Sequence, residues 1–212
     1  FVGDDFVFAN GSSRLVRISG VVLDYVFGDL DMDGRPEIIV LTDVNIYALD
    51  LGLSVLWARP NFDGFDSVYV GNITSPYYSL VICWENYTNL VGYYNFSGVY
   101  LGSVYMGVPT GMLNISQIAH VGEYVFARNT YNSLLYCWRY GDTTASCVTD
   151  LGRYSPFIKV GDSIFAVGYV AGEGYLYEFS DVLGYIKNTY LINGTSSWLP
   201  FVTSGKELLC FD

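Results

Sequence analysis

The chain has a single histidine, no Cys-x-x-Cys pair and only ten basic residues in 212, and these shortages exclude several chemistries before any motif is read. One histidine cannot supply a catalytic zinc site, and without Cys-x-x-Cys neither structural zinc nor thioredoxin-like redox chemistry has its ligands. No Gly-x-Ser-x-Gly elbow occurs, so a Ser-His-Asp triad centred on His120 lacks its presented nucleophile. With 21 acidic residues the net charge is −11, which repels a phosphate backbone and argues against a nucleic-acid partner. No apolar run reaches the roughly 18 residues a membrane helix needs. Asp43 and Asp50 break the most apolar stretch, Ile38 to Trp57, so no membrane insertion is expected within this chain.

What the sequence has in plenty is aromatic and β-branched residues. Tyr (20) and Phe (13) suit pleated, half-buried strands, and the expected class is all-β. One pattern recurs: an apolar stretch ending in glycine, then a polar residue and another β-rich stretch. It appears at "DYVFGD" (Gly28), "SVYVGN" (Gly71), "IAHVGE" (Gly122), "FIKVGD" (Gly161) and "PFVTSGK" (Gly205). The spacing of about 40–50 residues is that of four-stranded propeller blades. Later in each repeat a strand runs into a glycine turn at Gly52, Gly98, Gly141 and Gly184, and "FVFANG" at Gly11 adds a fifth copy. Glycine supplies the positive φ that tight hairpins use.

The two ends are complementary. "WLPFVTS" and "ELLCFD" read as a first and second strand, "DFVFAN" and "RLVRIS" as a third and fourth. The expected architecture is therefore a single five-bladed β-propeller domain, 1–212, closed by terminal strands that share one blade. Its blades are expected near 21–62, 63–110, 111–153 and 154–194, with 195–212 plus 1–20 as the fifth. The alternative is a β-sandwich, which also needs many short strands but does not explain five copies of one pattern.

Six Asn-x-Ser/Thr sequons, at Asn10, Asn72, Asn86, Asn95, Asn114 and Asn193, make up half the asparagines. They point to an N-glycosylated, secreted or cell-surface protein. The chain starts at Phe1 without Met, so a removed signal peptide or an excised domain is expected. Four cysteines suit an oxidising compartment. Cys137 and Cys147 flank a polar segment that reads as a hairpin turn, and a cross-strand disulfide is expected there, with Cys83 and Cys210 left over.

The segment "FGDLDMDGRPEIIV", Phe27 to Val40, sets Asp29, Asp31, Asp33 and Glu37 at positions 1, 3, 5 and 9 of a loop with Gly34 at position 6. Such spacing aims hard oxygen ligands at one point, the Arg35 carbonyl can add another, and glycine permits the sharp turn; Ca²⁺ takes six to eight oxygens of this kind. Over these fourteen residues the chain resembles the FG-GAP or VCBS repeat family, the calcium-loop propellers of integrin α chains and many extracellular proteins. The resemblance implies one structural calcium ion per chain, held between the first two strands of a blade. Loops beginning at Asn72, Glu123, Asp162 and Lys206 lack the carboxylate series.

Aligning inner strands on their glycines puts Val26, Tyr69, His120, Lys159 and Thr203 at one equivalent position. Tyr69, His120, Lys159 and Thr203 are the candidates to line an axial channel and meet a ligand. Asp24 and Asp66, on neighbouring inner strands, are the carboxylate pair a glycosidase would use, though one position out of step. Tyr77, Tyr78, Tyr93, Tyr94, Trp84, Trp138 and Trp198 are candidates for sugar stacking if exposed, and core packing is the competing fate. The function expected is a non-enzymatic extracellular module binding protein, carbohydrate or copies of itself. Alternatives are a subunit of a surface filament and a polysaccharide-degrading enzyme.

Overall fold

The computed structural model describes residues 5–9, 13–75, 78–85, 89–108, 112, 114–150, 157–160, 163–170, 173–179, 186–192, 199–202 and 208–211. The chain divides into two compact units, Phe1–Val104 and Tyr105–Asp212.

In the first unit β1 (Asp5–Ala9) and β2 (Ser13–Arg17) form an antiparallel hairpin. Two four-stranded sheets follow: β3 (Val22–Gly28), β4 (Glu37–Thr42), β5 (Asn45–Leu49) and β6 (Val55–Pro60), then β7 (Ser67–Ser75), β8 (Tyr78–Glu85), β9 (Leu90–Tyr94) and β10 (Tyr100–Tyr105). Each is an up-and-down meander in chain order, the pattern of a propeller blade.

β4 is buried along its whole length, as a strand covered on both faces must be. Ile39, Leu41, Ile46, Ala48 and Trp57 form one face and close on Phe65 of the β6–β7 link and on Val68, Val81, Cys83 and Tyr94 of the next sheet. Ile38, Val40, Tyr47 and Leu49 form the other, against Ile18 and Leu53. The alternation of apolar residues on β4 and β5 therefore serves two interfaces rather than one core and one solvent face.

Polar ties fix the inner strands. Asp24 accepts the Val68 N–H across to β7 at 2.9 Å. Gly28 packs so closely on Val70 that a Cβ would lie 2.4 Å from its Cγ1.

The second unit repeats the plan. One sheet runs β11 (Ile115–Val121), β12 (Tyr124–Asn129), β13 (Leu134–Arg139) and β14 (Ser146–Asp150); the next runs β15 (Phe157–Val160), β16 (Ser163–Val170), β17 (Glu173–Phe179) and β18 (Ile186–Ile192). A two-stranded sheet, β19 (Leu199–Val202) and β20 (Leu208–Phe211), completes it, with β19 against β15 and β16. Phe126, Leu135 and Cys137 pack on Phe157, Ile164, Tyr177 and Phe179 between the sheets. Gln117 does here what Asp24 does in the first unit, accepting the Phe157 N–H at 2.9 Å. Both residues sit at a bulge in the inner strand, which turns a side chain towards the neighbouring sheet.

The four-stranded sheets thus fall one each within 21–62, 63–110, 111–153 and 154–194. One turn departs from expectation: after β5 the positive φ belongs to Leu53 (63°) rather than Gly52, whereas Gly98 (76°) and Gly141 (94°) carry it in theirs.

The expected Cys137–Cys147 disulfide is not formed. In the β13–β14 ladder Cys137 stands opposite Ser146, and Cys147 opposite Tyr136, so the two cysteines are one register step out of opposition. Cys137 is a buried free thiol, and so is Cys83.

Candidate metal centre

The loop joining β3 to β4 is set by its ends. Gly28 pairs with Glu37 in the ladder, so the eight residues between them must reverse within one strand spacing. Met32 (φ 63°) and Gly34 (φ 88°) take the left-handed conformations this requires. Leu30 is the anchor: its side chain is buried, its carbonyl accepts the Ser79 N–H at 2.8 Å, and its own N–H donates to Glu37 Oε2 at 2.7 Å. The Ser79 hydroxyl donates to the Asp29 carbonyl at 2.8 Å, so β8 of the neighbouring sheet braces the loop.

Asp29, Asp31 and Glu37 converge, each placing a carboxylate oxygen within 4.8 Å of the others. Main-chain N–H groups feed the cluster: Asp33 N donates to Asp29 Oδ1 at 3.1 Å and Asp31 Oδ1 at 3.2 Å, and Gly34 N to Asp29 Oδ2 at 2.8 Å. Asp33 is not part of the cluster. Its Oδ1 accepts the Arg35 N–H at 2.7 Å, closing a local turn.

Burial raises the pKa of Glu37, the Leu30 N–H opposes that, and the Asp31, Asp29 and Asp33 carboxylates raise it further. Three carboxylates this close repel one another unless a cation or protons intervene. The donor set is all hard oxygen, and it fits a Ca²⁺-type ion better than a zinc-type one.

The inner-strand candidates share one register position. Val26 pairs with Ile39, Tyr69 with Ile82, His120 with Val125 and Lys159 with Ile164. Tyr69 and His120 are half-buried and Lys159 is exposed; burial pushes the Tyr69 phenol up to about 12. His120 and Lys159 lie on β11 and β15 of one unit, and Thr203 lies outside the described residues.

Both Asp24 oxygens accept main-chain N–H groups, from Tyr25 at 2.8 Å and Val68 at 2.9 Å, and Asp66 accepts the Ser67 hydroxyl. Trp84, Trp138, Tyr93 and Tyr94 are buried, so core packing is their role and stacking on a ligand is not. Tyr77, Trp198 and the Tyr78 side chain lie outside the described residues.

Of the sequons, Asn72 lies half-buried in β7, Asn95 at the neck of the β9–β10 hairpin, and Asn114 exposed before β11. Asn10, Asn86 and Asn193 lie outside the described residues. Sequence reading missed Leu30 and Ser79 as supports of the loop. The buried Leu30 amid carboxylates was the available signal for one; none existed for Ser79, fifty residues away.

No family model and no curated protein matches the sequence. The fold has solved likenesses. BBS1N, solved in complex with ARL6DN, superposes with a TM-score of 0.61 at 11% identity over 98% of this chain and 66% of that one. The Dos1 propeller gives 0.54 at 11% over 92% and 54%. Virginiamycin B lyase from Staphylococcus aureus gives 0.51 at 12% over 89% and 73%. The chain thus spans about two thirds of BBS1N and half of the Dos1 propeller. The shared fold is of the β-propeller class, and it serves a lyase as well as a protein solved with a protein partner.

Proposed function

We propose that this chain is an extracellular, N-glycosylated binding module of the FG-GAP or VCBS type, a five-bladed propeller whose β3–β4 loop is held by one calcium ion. The observation that carries the reading is the convergence of Asp29, Asp31 and Glu37 on one point of a loop braced by the next sheet. Calcium there would supply fixed positive charge, neutralising the acidic cluster and tying both ends of the loop to β4. Asp29, Asp31 and Glu37 would be its side-chain ligands, and Asp33 would join only by releasing the Arg35 N–H.

Ring closure through both termini is supported by a stripe on β3. Leu23, Tyr25 and Phe27 are about half exposed, with Val21 beside them, while the opposite face of the strand is packed against β7. β2 and Ile18 already cover the Ile38–Val40 part of that face. An apolar face of this kind is what a neighbouring blade covers in a closed propeller.

A non-enzymatic role is favoured by Asp24, whose carboxylate is committed to two main-chain N–H groups. The partner proposed is a protein or a glycan outside the cell. A second copy covering the β3 stripe is the filament reading, and analytical ultracentrifugation separates it from intramolecular closure: a monomer at micromolar concentration discards it.

Calorimetric titration of chelated protein with Ca²⁺ tests the metal. Ion at about 100 times its Kd stabilises the fold by about 2.7 kcal/mol, a rise of several degrees in Tm. Glu37→Gln, which keeps an oxygen for the Leu30 N–H, should leave the metal-free fold intact and abolish that rise. Absence of both heat and Tm shift in the wild type removes the claim.

A further inference from the structure

The link from β6 to β7 and the tip of the β9–β10 hairpin enclose a cleft of about 480 Å³ that the calcium loop does not explain. Arg59, Phe62 and Asp63 come from the end of β6 and the turn after it, and Tyr94, Val99 and Tyr100 from β9 and β10. Its size lies within the roughly 300–1,000 Å³ of small-ligand sites.

Phe62 is 90% exposed, more than any other large apolar residue described. Its turn is nevertheless locked. Asn61 is buried, its Nδ2 donates to the Thr42 and Phe65 carbonyls at 2.9 and 2.8 Å, and its Oδ1 accepts the Phe65 N–H at 2.9 Å. The Asn61 N–H donates to the Val44 carbonyl at 2.8 Å, and Phe65 is fully buried beneath. The phenyl ring is held out into solvent by a rigid support.

The facing wall is as firmly built. Asn95 Oδ1 accepts from the Ser97 N–H, the Ser97 hydroxyl and the Val99 N–H at 3.0, 2.9 and 2.8 Å. Arg59 ties the end of β6 to the hairpin tip, Nε to the Gly98 carbonyl at 2.7 Å and Nη2 to the Ser97 carbonyl at 3.3 Å. The Trp57 indole N–H adds a bond to the Phe96 carbonyl at 2.7 Å.

The cleft therefore exists before any ligand arrives. It offers the faces of Phe62 and Tyr100, one carboxylate, Asp63, and the guanidinium N–H groups of Arg59 that the carbonyls leave over. Aromatic faces beside a fixed acceptor and a fixed donor suit a pyranose, whose C–H face packs on the rings while its hydroxyls bond in plane. A wholly apolar ligand would leave Asp63 and Arg59 desolvated without return.

The nearest sugar is one the chain itself would carry. Asn95 opens a sequon, sits at the neck of the hairpin that forms the wall, and donates its N–H to the carbonyl of the cleft residue Val99 at 3.0 Å. Its side-chain oxygen is fixed by three donors, which sets the direction of the nitrogen a glycan would occupy. We propose that the cleft holds the first rings of a glycan attached to Asn95, packed on Phe62 and Tyr100 and hydrogen-bonded by Asp63 and Arg59. The inference rests on the N-glycosylated reading above.

The test is a cycle of Phe62→Ala and Ser97→Ala, alone and together, made in a glycosylating host and in bacterial cytoplasm. Peptide mass mapping reads Asn95 occupancy and calorimetry reads Tm. In glycosylated protein Phe62→Ala should lower Tm by about 2–4 °C, the size expected for a chain of this length, and that loss should vanish in the Ser97→Ala background. In bacterial protein neither background should show it. Because Phe62 contributes almost nothing to the core, the variant folds in every arm. Occupied Asn95 with no coupling overturns this inference alone. An unoccupied Asn95 overturns it together with glycosylation at that site.

Discussion

Gly28→Ala isolates the packing of two neighbouring sheets in one methyl group. The φ of Gly28 lies outside the left-handed region, so alanine suits the backbone, and with free space it would stabilise the strand by about 0.5–1 kcal/mol through the unfolded chain. The space is not free. The new Cβ would lie 2.4 Å from Val70 Cγ1 and 2.7 Å from Val70 Cβ, against an optimum of about 3.5–4.0 Å between carbons. Val70 Cβ is attached directly to the backbone of β7 and cannot rotate away, so the sheets must part.

Overpacking of this kind costs about 1–3 kcal/mol, which for a chain of this length lowers Tm by about 2–12 °C. Val70→Ala alone loses two partly buried methyls, about 1–2 kcal/mol. In the double variant the Cγ1 overlap disappears and the Cβ overlap stays, so its loss should be smaller than the sum of the two. Differential scanning calorimetry in excess chelator, which keeps the metal out of the comparison, reads all four proteins. A Gly28→Ala variant as stable as the wild type, or strict additivity with Val70→Ala, would refute the contact.

Three further outcomes follow from other parts of the molecule. Glu178 is nearly buried and its carboxylate takes hydrogen bonds from Asn188 at 2.6 Å, Lys187 at 3.1 Å and Ser163 at 3.1 Å, with the Asn188 bond the main cause of its lowered pKa. A depressed folded pKa contributes stability that is fully present above the unfolded value near 4.5 and is lost as pH falls through the folded one. Urea titrations from pH 6 downward should therefore show a steeper acid loss in the wild type than in Glu178→Gln; equal slopes contradict this. Asn61→Ala removes three side-chain hydrogen bonds and orphans buried main-chain groups of Thr42 and Phe65, a loss of about 3 kcal/mol in urea unfolding; a loss under about 1 kcal/mol would mean that water replaces the side chain. Burial pushes the Cys137 thiol up to about 12 and raises Cys83 further, so alkylation mapped by mass spectrometry should spare both until urea unfolds the chain, and modification of the native protein would show that the sheets open locally.

The sheets were legible because glycine punctuates them and because apolar runs such as Ile38–Leu41 leave no room for a solvent face. The acidic cluster of the β3–β4 loop was legible because Asp29, Asp31 and Glu37 are local, all within nine residues. What the sequence concealed depends on single-residue register or on distant partners. Two cysteines ten apart look like a cross-strand pair, and a shift of one residue in the β13–β14 ladder sets Cys137 opposite Ser146 instead. Trp84 and Trp138 look like recognition residues until the stacking of whole sheets covers them. Asp33 follows the ligand spacing, yet its oxygen goes to the Arg35 N–H. The Arg59 cleft joins segments about forty residues apart through main-chain carbonyls, for which no side-chain pattern exists.

Diffraction from crystals grown with calcium, with anomalous data collected to locate the ion, reads the site itself. A single peak should lie between Asp29, Asp31 and Glu37, about 2.3–2.6 Å from their oxygens as calcium coordination demands. A loop with no peak, its three carboxylates turned to solvent or to basic side chains, would contradict a calcium-held propeller.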